Sequence, residues 1–158
     1  MRKIFFTLFT LTSLALMSQQ SEMTSVTHMK YLFYLPDIQA PDGGFPLMMF
    51  LHGDGEKGDD LNLVKTHGPP SFIVDTTDFP FIVVSPQGSE GKDWNIYKLN
   101  ELIAEIATVA FVDTIRIIVT GLSSGGTATW DLAMLSPGKF ASIVPICGKC
   151  DPSKACYI

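Results

Sequence analysis

Six residues, Gly121-Leu122-Ser123-Ser124-Gly125-Gly126, carry the strongest chemical signal in this sequence. They read G-x-S-x-G between an apolar run, Arg116 to Val119 (RIIV), and a segment with helical character that begins at Ser124. At such a strand–turn–helix junction a serine hydroxyl can attack an acyl carbon. The turn has to be tight, so Gly121 and Gly125 stand where side chains would collide with neighbouring backbone. Only Ser123 has a glycine two residues to either side, which makes it the candidate nucleophile. Ser124 would then offer its backbone N–H to a developing oxyanion, beside the positive end of the helix. A Ser-capped, glycine-rich turn without catalysis has a similar composition; the strand before and the helix after favour the nucleophile.

Acyl transfer needs a second oxyanion donor, usually from the loop after a neighbouring strand. His52-Gly53-Asp54-Gly55 closes the apolar run Leu47 to Leu51 (LMMFL) at such a place. The Asp54 N–H is the candidate donor. Its carboxylate is expected to point away, because negative charge there would oppose the oxyanion. The competing reading is a solvated acidic loop. Calcium fits less well, since Asp54, Glu56, Asp59 and Asp60 lack EF-hand spacing. This chemistry calls for no cofactor and no metal.

The elements that must position these residues alternate along the chain. Met29 to Leu35 is aromatic-rich and ends at Pro36, as a strand would. LMMFL, Phe81 to Val84 (FIVV), RIIV and Ser142 to Ile146 (SIVPI) are short apolar runs, expected as strands buried in a parallel sheet. Between them, residues 61 to 68 suit a short helix before Pro69-Pro70. Ile96 to Ala110 places apolar residues at helical spacing, and Ser124 to Leu135 reads as a third helix. Strands alternating with helices predict an α/β domain with a mainly parallel sheet.

PLMMFLHGDGEKGDDL, THGPPSFI, FIVVSPQG, RIIVTGLSSGGTATWDLA and FASIVPICGKCDP, in this order, resemble the α/β-hydrolase superfamily. The nearest likeness is to its secreted prolyl-oligopeptidase-like "predicted peptidase" and carboxylesterase group, related to polyhydroxybutyrate depolymerases and feruloyl esterases. The resemblance runs from about residue 30 to the C-terminus. It implies a serine hydrolase that cleaves a small ester or peptide through an acyl-enzyme on Ser123. It also implies an oxyanion hole from Ser124 and the Asp54 region, and a Trp130 that packs the helix behind the elbow. Such relatives often carry Met at position 124, and Ser leaves the backbone donor in place.

A triad in this fold runs Ser, then Asp or Glu, then His. Here His28, His52 and His67 all precede Ser123 and none follows. His52, in the His-Gly turn, suits packing or hydrogen bonding better than proton transfer. His67 matches a position that is not the catalytic His of the group. Asp131 lies within a helix and Asp151 in the tail, so neither matches the usual acid. The expectation is a C-terminally truncated domain with no catalytic Asp or His of its own, for which a non-catalytic fragment is the alternative. Its last strand would leave an unpaired, apolar sheet edge through which chains self-associate.

Cys147-Gly-Lys-Cys150 with Cys156 admits several readings: structural cysteines foremost, then a Cys150–Cys156 disulfide, and redox chemistry last. At the N-terminus, Arg2 and Lys3 precede the apolar run Ile4 to Met17, the pattern of a signal peptide over residues 1–18. Residues 19–28 are then a linker, and 29–158 a partial α/β-hydrolase domain. The protein is expected to be secreted or periplasmic, with no stable membrane anchor after cleavage. Across all 158 residues the net charge is −5, 46% are hydrophobic and 17% are charged. That balance excludes disorder and, with no basic run, a nucleic-acid footprint.

Overall fold

Apolar runs form the central strands, β-branched and aromatic residues being suited to a sheet buried on both faces. The computed structural model describes residues 20–73 and 78–153. Residues 1–18, expected as a signal peptide, and any pairing by Cys156 lie outside the described residues.

Six strands make one sheet: β1 (Ser21–Thr24), β2 (Lys30–Tyr34), β3 (Phe45–Leu51), β4 (Ile82–Pro86), β5 (Val112–Leu122) and β6 (Ser142–Ile146). Their spatial order is β1-β2-β4-β3-β5-β6. β1 and β2 run antiparallel, while β3 to β6 are mutually parallel. All five residues of β4 and six of the seven in β3 are buried. These are the central strands, covered on both faces.

The helices are α1 (Pro69–Phe72), α2 (Ile96–Val109) and α3 (Ser124–Leu135), with single 3-10 turns at Asp54–Glu56 and Leu63–Thr66. Leu99, Leu102, Ile103 and Ile106 of α2 form one buried stripe in the main core, beside Leu47, Met49 and Leu51 of β3 and Leu132 of α3. Each such side chain contributes about 1.5–3 kcal/mol. A smaller cluster of Tyr34, Ile73 and Val83 fills the opposite face.

Several expectations need correction. The stretch 19–28 is not only a linker, because it contributes β1. All four of its residues, Ser21 to Thr24, are exposed, so no apolar period marks it. The short helix expected over residues 61 to 68 is only the 3-10 turn Leu63–Thr66, and Pro69 and Pro70 begin a separate helix, α1, where the missing N–H is harmless. The RIIV strand extends to eleven residues, with Ile115 80% exposed at its entry. SIVPI is not a buried strand. Its residues alternate between exposed and half-buried at the sheet edge.

Candidate active site

β3 is followed by β4 on one side and, after α2, by β5 on the other, so the chain changes direction across the sheet at the β3–β5 pair. Leu51 pairs with Gly121, which sets the carboxyl ends of β3 and β5 side by side. Open α/β sheets bind ligands at such a switch point. Both candidate loops emerge here.

Ser123 stands between β5 and α3 with φ 55° and ψ −116°, a strained conformation for a residue with a side chain. Its N–H is fixed by the Ile146 carbonyl at 2.8 Å, and its carbonyl accepts the Thr127 N–H at 3.0 Å. A Cβ at Gly125 would collide with the Leu51 and His52 carbonyls, and one at Gly121 with the Gly125 carbonyl. Both predicted elbow glycines are therefore needed for close backbone approach. The Ser123 side of the turn is exposed, and Ser124 opens α3. The Ser124 N–H is thus among the first-turn donors that have no partner within the helix.

Asp54 begins the 3-10 turn Asp54–Glu56, which leaves its N–H in the same position at that turn's start. Ser123, Ser124 and Asp54 line one open cavity of about 480 Å³ with Lys57, Trp94 and Cys147. The structure brings the three together in one cavity. The expected direction of the Asp54 carboxylate is corrected, however. It does not turn away from the elbow; Lys57 Nζ holds its Oδ1 at 2.6 Å. Lys57 and then the Ser124 hydroxyl hold the Asp54 carboxyl below the usual carboxylate range. Ser124 Oγ itself is buried and makes no hydrogen bond of good geometry.

His52 is fully buried and both ring nitrogens are engaged. Nε2 accepts the Gly88 N–H at 2.9 Å, so Nδ1 carries the proton and donates to the Gly53 carbonyl at 2.6 Å. Burial pushes its pKa down, and Trp94 packs over it at a centroid distance of 4.8 Å. His52 is a tether for the loop rather than a base, as the His-Gly turn suggested. His67 donates from Nδ1 to Glu56 Oε1 at 2.6 Å. Trp130 lies half-buried on α3; Trp94, from the loop before α2, is the tryptophan in the cavity wall.

Cys147 lines the cavity as well, with φ 54°. Among the described residues, Cys147 and Cys150 form no disulfide. Among the described residues no cluster of three or more His, Cys, Asp or Glu could hold a metal ion.

No family model matches the sequence, and neither does any curated protein. Solved structures do. A thermostable esterase superposes with TM-score 0.72 at 28% identity, over 88% of this chain and 43% of its own. An acetyl xylan esterase from Aspergillus awamori gives TM-score 0.60 at 18% identity, over 79% of this chain and 50% of its own. A fluorophosphonate-binding serine hydrolase from Staphylococcus aureus gives 0.60 at 16%, over 80% and 55%. The chain thus spans about half the length of the structures it matches. The sheet and its flanking helices have the α/β-hydrolase fold that the motifs implied, and the neighbours named here are esterases and a serine hydrolase.

Proposed function

We propose that this chain carries the nucleophile and oxyanion hole of a serine hydrolase acting on small carboxylic esters. The observation that carries the reading is the strained backbone of Ser123, held by flanking glycines at the head of a twelve-residue helix. Such strain persists only where the surrounding structure enforces it, and it lifts the hydroxyl above the sheet.

In this reading Ser123 Oγ attacks the ester carbonyl carbon. The carbonyl oxygen becomes an oxyanion and receives the Ser124 and Asp54 N–H groups. Collapse expels the alcohol and leaves an acyl-enzyme on Ser123, and water then releases the acid. His52 does not take the serine proton, because its Nε2 lone pair is already held by Gly88; in the open cavity that proton passes to solvent water, and the departing alkoxide takes one back from it. An ester is favoured over a peptide by the esterases among the structural neighbours. Export by the segment 1–18 would place the enzyme outside the cytoplasm.

A fluorophosphonate probe tests the reading, because phosphonylation traps the nucleophilic serine, expels fluoride and needs no later hydrolysis. The folded 158-residue chain should take up one label, on Ser123, and Ser123→Ala should lose it. A folded chain that takes no label would overturn the proposal in favour of a non-catalytic α/β-hydrolase fragment.

A further inference from the structure

We propose that Glu56 and His67 are positioning residues that hold the Asp54 N–H in register with Ser123. This rests on the oxyanion hole proposed above. Glu56 is only 7% exposed, an unusual placement for a carboxylate. Its Oε1 accepts the His67 Nδ1 proton at 2.6 Å, and its backbone carbonyl accepts the Gln87 side-chain amide at 2.9 Å. Its Oε2 faces Gly53. A Cβ built on Gly53 would lie 3.4 Å from that oxygen and 3.5 Å from Ser123 Cβ. The carboxylate and the nucleophile therefore flank the same thin glycine.

The consequence follows from the size of the turn. Asp54 and Glu56 are the two ends of one three-residue 3-10 turn, closed by a long Lys57 N–H to Asp54 carbonyl bond of 3.4 Å. Such a turn does not hold its own orientation. It is braced from outside, at Glu56. The brace is itself anchored, because Gly68, next to His67, packs directly on Phe50 of β3 and has φ 66°. Neither Glu56 nor His67 lines the Ser123 cavity, so both act through the Asp54 N–H. An oxyanion donor contributes only where it is aimed, and misplacement by about 1 Å can cost on the order of 100-fold.

His67→Ala is the informative variant, because the ring is 55% exposed and its loss need not unfold the chain. Fluorophosphonate inactivation should be resolved into affinity and maximal rate. His67→Ala is expected to lower the maximal rate about tenfold, less than the roughly 100-fold for deleting a donor outright, with probe affinity unchanged and the chain still folded at the assay temperature. His67→Gln keeps an N–H donor for Glu56 and should restore most of the rate. A wild-type rate in His67→Ala, or no rescue by His67→Gln, overturns the proposal.

A second measurement separates this idea from the function it rests on. In an amide NMR spectrum of the unlabelled chain, His67→Ala should shift the Asp54 and Gly55 resonances, and His67→Gln should return them. If wild type takes no label, the hydrolase reading fails while these shifts still decide the brace. Unmoved Asp54 and Gly55 resonances overturn the brace whatever the labelling shows.

Discussion

In the proposed oxyanion hole Asp54 offers its N–H to an oxyanion while carrying a carboxylate in the same cavity. The conflict is resolved by Lys57, three residues on, whose ammonium pairs with Asp54 at 2.6 Å. Left unpaired, that carboxylate would repel the negative charge growing on the substrate oxygen. Lys57→Met should therefore slow fluorophosphonate labelling of Ser123 about fivefold. Adding Asp54→Asn, which keeps the N–H and removes the charge, should return the rate. A double variant as slow as Lys57→Met would show that Lys57 acts by packing instead. At this scale the sequence made Ser123, Ser124, Asp54 and the two glycines legible, because their spacing is local. Trp94 over His52 and the pairing of Glu56 with His67 were not legible, since each joins residues more than ten positions apart that only the fold brings together.

Strands and helices were readable where burial is asymmetric and periodic, as along α2 and through β3 and β4. They were not where backbone pairing alone forms the element, as in β1, or where position in the sheet decides exposure, as in β6. Among the described residues β6 pairs only with β5. Val144 is 47% and Ile146 45% exposed on it. An apolar edge of that kind templates another strand. Concentrated solutions of the chain should contain species larger than the 17.3 kDa monomer. Val144→Lys, a charge on an exposed edge, should shift them toward monomer without lowering Tm. Light scattering that finds only monomer for the unmodified chain would refute this.

For the whole molecule, one buried side chain ties three regions together. His52 ends the β3 run, bonds the Gly53 carbonyl of the loop that carries Asp54 and accepts the N–H of Gly88 beyond β4. Protonating Nε2 breaks the last bond and places a charge in the core beneath Trp94. Burial holds the folded-state pKa below the ordinary value of about 6.5. A histidine depressed in this way binds its proton more readily in the unfolded chain. Its contribution is thus complete above about pH 6.5 and declines as pH falls below it, by up to about 1.4 kcal/mol per pH unit. Asp54 and Asp113, whose carboxyls are held low by Lys57 and Arg116, begin to add to the loss only at lower pH. Urea unfolding should accordingly give a smaller free energy at pH 5.5 than at pH 7.5. Equal values at the two pH settings would mean that His52 keeps an ordinary pKa and that its two hydrogen bonds do not brace the molecule.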